Sequence, residues 1–458
     1  MKPISLKKIQ HYTGGRLSVV TDETIEAIST SSREIPEGCL FVAIKGERFD
    51  GHDFIGDAVA NGARAVVSHG GDLDIPVPAV YVEDTRQALL DIAAGYRGNF
   101  SFPVVGLTGS VGKTTTKEMI WSVLSQRWHT LKTEGNFNNQ IGLPKTIFRF
   151  SDEYQCAVLE MGMSDFGEIA SMTAAARPDV AVITNIGVSH IEFLGSREGI
   201  CRAKLELLEG LSPNGTAVLN GDEPLLFDKK GEIPFRTLYF GIENPACDIR
   251  AERIVLRDGC VRFEIVCRDS RFPCVLQTPG RHNVMNALAA AGAALALGLT
   301  PEEISAGLAR YETVGMRQRL YEKNGFFVYE DCYNASPDSM LAALSVLSEL
   351  AVPGRKIGVL GGMMELGAYR VQGHRSVGRK AAACCDALYL YGEGAEEYKE
   401  GALAGGMAEE AIFLCKSHDG LAAALQRDCR PGDALLFKGS RGMRMEVSLK
   451  LFLGEEVE

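Results

Sequence analysis

Residues 104–124 read VVGLTGSVGKTTTKEMIWSVL. An apolar stretch, 104–107, feeds a glycine-rich turn, and residues 117–124 continue with helical spacing. A strand, a glycine turn and a helix in that order form a phosphate cradle: backbone N–H groups and the helix N-terminus converge on one point. Lys113 supplies a cation for the β- and γ-phosphates, and Thr114 a hydroxyl suited to Mg²⁺. The common spacing places a glycine six residues before the lysine, but position 107 is leucine and the loop reads GxxGxxGKTT. An ordinary glycine-rich turn is the competing reading. The GKTT run between strand and helix favours the phosphate loop.

Outward from this loop the chain reads as three blocks. Residues 1–100 hold short β-like stretches at 39–44 (CLFVAI) and 65–68 (AVVS), then an amphipathic helix over 85–96. Residues 101–314 alternate strands at 104–107, 156–160, 179–184 and 216–219 with helices, ending in an Ala-rich helix over 286–297 and a short helix opened by Pro301. Residues 315–458 repeat the alternation: strands at 327–330, 356–360, 387–391 and 434–437, and helices over 337–350 and after His374. Apolar strands followed by helices predict an α/β chain with parallel sheets covered on both faces.

The 458 residues suit about three domains. With 48 Lys plus Arg against 59 Asp plus Glu, the formal charge of −11 argues against a nucleic-acid or anionic-membrane binder. The start, MKPISLKKIQHYTGG, has no signal-peptide core, and the longest apolar run, 287–299, is too short to span a bilayer. The 12 cysteines are scattered, none as CxxC, which predicts reduced thiols in a cytoplasmic protein.

Ligands of open α/β sheets gather at the carboxyl ends of strands. Glu160 and His190 both fall at such ends, and a carboxylate with a neutral imidazole there could complete Mg²⁺ sites beside the phosphates. Taken singly, Glu160 reads equally as a cap or ion-pair carboxylate and His190 as a hydrogen-bonded loop residue. Lys204, in CRAKLELLEGL, reads by itself as a surface lysine. Asp50-Gly51-His52 reads as a turn by composition.

The loop TGSVGKTT, with Glu160, His190 and Lys204 after it in order, resembles the Mur ligase family of ATP-dependent amide-bond ligases in cell-wall precursor assembly. The resemblance continues in SSREIPEGCLFVAIKGERFDGHDFI, TEGNFNNQIGLP, TPGRHNVMNALAA, GMR, DCYNASPDSM, GGMMELG and KGSRGMRME. It implies a small N-terminal α/β uridine-binding domain, a central P-loop parallel-sheet ATPase domain and a C-terminal Rossmann-like domain that completes the ATP and acceptor sites. The block-three motifs, Tyr333-Asn334-Ala335-Ser336-Pro337 above all, are most similar to the branch that joins D-alanyl-D-alanine to a UDP-N-acetylmuramoyl-tripeptide.

Carried over residue by residue, the resemblance implies that Gly109, Ser110, Val111, Gly112, Lys113, Thr114 and Thr115 hold ATP, joined by Asn283, Arg317 and Asp331. Thr114 and Glu160 would hold one Mg²⁺, and Glu160, His190 and a carbamylated Lys204 a second. Lys113, Glu160, His190 and Lys204 would be the catalytic set. Ser31, Ser32, Arg33 and Lys45 would line the uridine end; Asn136, Asn138 and Asn139 would lie near the muropeptide; Asn334, Lys438, Ser440 and Arg441 would meet substrate where the dipeptide enters. A monomer is the expected state. One departure stands out: the family usually has Gly-Asp-Met before Glu-Leu-Gly, and here Gly362 holds the Asp position, leaving Asp338 or Glu365 as stand-ins. Two alternatives stay open: a sister ligase that adds one amino acid, and a P-loop ATPase that makes no bond.

Overall fold

The computed structural model describes residues 1–457 apart from Glu47, Asp72, Asp258 and Asp269. The chain is α/β, and its backbone separates into two compact units: residues 1–108, 127–182 and 204–217, and residues 109–126, 183–203 and 218–458. This division cuts through the block read as 101–314.

The first unit opens with a five-stranded sheet, in the order Arg16–Leu17, Ala79–Val82, Ala65–His69, Cys39–Val42, Ala27–Ser29. Arg16–Leu17 is an antiparallel edge, and the other pairs are parallel. Cys39–Val42 is fully buried, as the continuous apolar run predicts. The helix Thr85–Arg97 is capped by Asp84, which accepts the amides of Arg86 and Gln87. The last turn of this helix ties the N-terminal block to residues 100–176. Tyr96 donates its hydroxyl to the Phe150 carbonyl, and buried Arg97 donates to the carbonyls of Phe100 and Ala176. The same unit holds the strands Thr216–Asn220 (in part), Val180–Ile183 (in part), Val104–Thr108, Cys156–Glu160 and Thr130–Lys132, in that order, with Cys156–Glu160 parallel to both of its neighbours.

In the second unit the helix begins at Lys113, not at 117: Lys113–Leu124 starts directly on Gly112. Its Thr114-Thr115-Thr116 run has low intrinsic helix propensity, but all three threonines are buried, and packing decides. The Ala-rich helix likewise starts earlier, as Arg281–Ala296. Four more strands precede this helix in the chain: Arg236–Gly241, then Ile249–Arg257, Cys260–Cys267 and Ser270–Leu276 as an antiparallel meander. The sheets are parallel-rich, as the strand and helix alternation predicts, and this meander adds antiparallel strands to them. The last sheet runs Arg319–Lys323, Phe326–Asp331, Ala434–Lys438, Lys356–Gly361, Ala387–Tyr391, Ile412–Cys415, parallel except at its first, edge strand. The helix Arg370–Ala382 contains His374 and does not come after it.

One buried carboxylate fixes how Ala434–Lys438 enters this sheet. Asp433 accepts the amides of Arg430 and Arg355 and the Arg355 guanidinium, at 2.8–3.0 Å. Burial by itself pushes the Asp433 carboxyl up, but these bonds outweigh it and hold the group below the usual carboxylate range. A depressed folded pKa contributes stability above the unfolded value, near 4, that is lost as pH falls through the folded value. Asp433→Ala should therefore cost about 3 kcal/mol at pH 7, read as a lowered denaturant midpoint, with the difference shrinking in acid.

Candidate active site

The strand Val104–Thr108 delivers the chain to Gly109, and Gly112 turns it into the helix. Gly112 has φ +81°, and a Cβ there would lie 2.6 Å from Asn286 Oδ1, so glycine is required twice over. The helix has no side-chain cap, which leaves its first turn directed at the loop. Lys113 Nζ donates to the Gly109 carbonyl at 2.8 Å. The amides of Ser110 and Val111 are already used: they donate to the Asn185 carbonyl (3.2 Å) and to Asn185 Oδ1 (2.9 Å). Asn185 Nδ2 and Thr184 Oγ1 in turn donate to the Val111 carbonyl. Two of the amides expected at the cradle thus brace the loop in this state. Ser110 Oγ accepts the Gly187 amide.

In the first unit, Glu160 closes its strand in register with Leu107, two residues before Gly109. Only 1% of Glu160 is exposed. Its amide donates to Thr133 Oγ1, and its Oε1 accepts from Asn138 Nδ2 at 2.8 Å. Of the three asparagines expected at the muropeptide, Asn138 is therefore brought to the carboxylate. Asn139 is spent on the turn into Gly142–Ile147, accepting the amides of Ile141 and Gly142, while Asn136 is exposed. Lys204, within Arg197–Leu205, is 1% exposed; the surface-lysine reading is corrected by its burial.

His190 takes φ +63° and caps the short turn Ile191–Leu194. Its Nδ1 stands 3.0 Å from Glu365 Oε2, and the imidazole holds the Glu365 carboxyl below its usual range. Asp338 Oδ2 accepts the Val188 amide at 3.2 Å. Both carboxylates considered as stand-ins for the missing Asp thus reach residues 188–190. Gly362 has no room for that Asp: a Cβ would lie 2.0 Å from the Glu393 carbonyl oxygen.

Asn283 is fully buried, with Nδ2 bonded to the Pro279 carbonyl and to Gln318 Oε1, both at 2.7 Å. Arg317 lies over the Tyr333 ring, 3.7 Å from its centroid. Asp331 pairs with Lys438 at 2.5 Å, both buried, and Lys438 also donates to the Asn334 carbonyl. Ser440 accepts the Met364 amide and donates to the Ala335 carbonyl, which pins GGMME against the strand exit. Arg441 is exposed and donates to Glu446.

At the carboxyl ends of the N-terminal strands, Ser31 and Ser32 come after Ala27–Ser29 and Lys45 after Cys39–Val42. Ser31 folds back on Ser29 Oγ, Ser32 accepts Asn61 Nδ2, Lys45 bridges to Asp50, and Arg33 is exposed. The Asp50 turn does more than its composition suggests. Asp50 Oδ1 meets His52 Nδ1 at 2.6 Å, and His52 Nε2 meets His69 Nδ1 at 2.6 Å.

Three family models match the chain: the Mur ligase family catalytic domain over 24–97, the Mur ligase middle domain over 107–294, and the Mur ligase glutamate ligase domain over 316–441. A UDP-N-acetylmuramoyl-tripeptide–D-alanyl-D-alanine ligase of Bacillus subtilis is 39% identical over 433 residues, 93% of each chain. This chain belongs to the Mur ligase family. Among solved structures, MurF from Acinetobacter baumannii superposes with a TM-score of 0.92 at 32% identity, over 99% of this chain and 100% of that one. MurF ligase from Thermotoga maritima in complex with ADP gives 0.84 at 35% identity, over 94% and 97%.

Residues that motif reading passed over now stand out in this Mur ligase. Asn185 and Thr184 brace the phosphate loop, Asn286 Oδ1 fills the space a Cβ at Gly112 would need, and His69 extends the Asp50–His52 pair. Asn185 had a legible signal, since it lies just past the strand Val180–Ile183 at its carboxyl end. His69 had none; only the fold brings it to His52. Burial pushes the thiols of Cys39 and Cys201 up to about 11, which disfavours cysteine nucleophiles at neutral pH. Among the described residues no helix is long and apolar enough to cross a membrane, and all 12 cysteines are free.

Proposed function

We propose that this chain joins D-alanyl-D-alanine to the C-terminal carboxylate of UDP-N-acetylmuramoyl-tripeptide, converting ATP to ADP and phosphate, in cytoplasmic peptidoglycan precursor synthesis. The observation that carries the reading is Glu160 in register with Leu107: a buried carboxylate ends its strand beside the strand that feeds a GKTT loop. The dipeptide acceptor rests on full-length similarity to a relative bearing that name.

Residues 1–100 would hold the uridine end, 101–314 the triphosphate, and 315–458 the rest of the nucleotide and the acceptor. A peptide carboxylate is a poor electrophile. Its oxygen attacks the γ-phosphorus, the bond to ADP breaks, and an acyl phosphate forms. The dipeptide amine then attacks the carbonyl carbon, phosphate leaves, and the amine gives up its proton. Most of this work is positioning and charge neutralisation. Lys113 would draw charge from the triphosphate, and His190 would serve the metal side.

Mg²⁺ fits the donor chemistry, since the Thr114 hydroxyl and the Glu160 carboxylate are hard oxygen donors. When bound, the ion would offset charge on the phosphates and the incoming carboxylate. Phosphate oxygens of the nucleotide, hard donors too, would complete the ligand set. Buried Lys204 would serve as a carbamate, an anionic oxygen donor. Carbon-13 NMR in labelled bicarbonate should show a carbamate carbon that Lys204→Arg lacks.

The function is tested by phosphate release from ATP with UDP-N-acetylmuramoyl-tripeptide and a panel of acceptors. Turnover with D-alanyl-D-alanine alone is expected. Turnover with a single amino acid would move the chain to a sister activity, and turnover without any acceptor would refute the ligase reading.

A further inference from the structure

Four side chains form one hydrogen-bonded line from the phosphate loop to the start of the last sheet. Thr116, whose amide donates to the Gly112 carbonyl, donates its hydroxyl to Asn286 Oδ1 at 3.2 Å. Asn286 Nδ2 donates to Asn283 Oδ1 at 3.2 Å, and Asn283 Nδ2 donates to Gln318 Oε1 at 2.7 Å. The first three residues are buried.

The direction of the line is set by one group. The Pro279 carbonyl can only accept, so the atom of Asn283 bonded to it at 2.7 Å is the amide nitrogen. The second proton of that nitrogen needs an oxygen, which Gln318 supplies. Asn283 then presents its own oxygen to Asn286, and Asn286 presents oxygen to Thr116. Gln318 Oε1 takes a second donor, His282 Nε2, at 3.1 Å. Burial holds His282 toward its neutral form, in which one ring nitrogen carries the proton for that bond.

Gln318 is held at its backbone as well. It has φ +52°, uncommon for a residue with a side chain, and its amide donates to Asp331 Oδ1 at 3.3 Å. A conformation of this kind persists only where its surroundings over-determine it. Arg317, the next residue back, lies on Tyr333, and Asp331 is the partner of Lys438. One side chain therefore joins the glycine that opens the loop helix to three residues expected at the nucleotide and acceptor.

We propose that Gln318 is a positioning residue: through Asn283, Asn286 and Thr116 it couples occupation of the phosphate loop to the placement of Arg317 and Asp331. The proposal rests on the ligase reading for its kinetic consequence and on the bond geometry alone for the coupling. Gln318 is only half-buried, so its variants should fold. Gln318→Met keeps the shape without the acceptor, and Gln318→Glu keeps an acceptor oxygen. Gln318→Met should lower kcat about tenfold, a coupling of ordinary size, with the KM of ATP and of the UDP-tripeptide each within about threefold. Gln318→Glu should recover to within about threefold of the parent.

A second measurement does not need the ligase reaction. ADP should slow amide hydrogen exchange at 109–115 and at 316–318 in the parent protein. In Gln318→Met the protection at 109–115 should remain and that at 316–318 should be lost. Equal protection at 316–318 in both proteins would overturn the coupling. A Gln318→Met kcat within twofold of the parent, or a loss shared in full by Gln318→Glu, would overturn the positioning role. Failure of the ligase reading would show separately, as a parent protein without acceptor-dependent turnover.

Discussion

Lys113→Ala should remove ADP formation by about three orders of magnitude or more, the scale of losing a preorganised charge at a phosphoryl-transfer centre. The ammonium group donates to the Gly109 carbonyl, within the loop itself. It would exchange that carbonyl for phosphate oxygens when the nucleotide enters. Loss of the side chain should leave the fold in place. The loop is braced independently by Asn185, Thr184 and Ser110, and the helix is held by its buried threonines. The check pairs a coupled ADP assay with a thermal melt. A melting temperature near the parent's with turnover lost supports the assignment; retained turnover sinks it.

Glu160→Gln should lower kcat about 10²- to 10³-fold and make the residual rate depend more steeply on Mg²⁺. The substitution removes the acid group and keeps the side chain's shape. A glutamine oxygen can still accept from Asn138 Nδ2, and the backbone bond to Thr133 Oγ1 is untouched. A purely structural Glu160 would show the opposite pattern: a lowered melting temperature and an Mg²⁺ dependence like the parent's. Titrating Mg²⁺ for both proteins separates the two cases.

The parts of this molecule most legible in the sequence were local in origin. The phosphate loop declares itself because its chemistry is carried by contiguous residues, and Glu160 because it ends an apolar run. The antiparallel meander leaves a fainter local signal. Cys260–Cys267 buries alternate residues for much of its length, a period of two hidden behind arginines and glutamates. The helix starts at Lys113 and Arg281 lie ahead of the helical spacing at 117 and 286, because burial of threonines in one and asparagines in the other overrides local propensity. What no periodicity carries is contact between distant positions. The burial of Lys204, the His52–His69 pair and the Gln318–Asn283 bond all depend on tertiary placement. The Gly362 departure shows both sides. The sequence registers the missing carboxylate, but only the fold shows the Glu393 carbonyl where a side chain would go and two other carboxylates reaching 188–190.

The central claim, that ATP activates a peptide carboxylate for amide formation, is tested most directly with an isotope. UDP-N-acetylmuramoyl-tripeptide is labelled with ¹⁸O in its C-terminal carboxylate and turned over with ATP and D-alanyl-D-alanine, and the released phosphate is analysed by mass. An acyl phosphate requires one carboxylate oxygen to leave with each phosphate, so singly labelled phosphate should accumulate in step with the pentapeptide product. Unlabelled phosphate would mean that water, not the peptide carboxylate, takes the phosphoryl group, and would contradict the account.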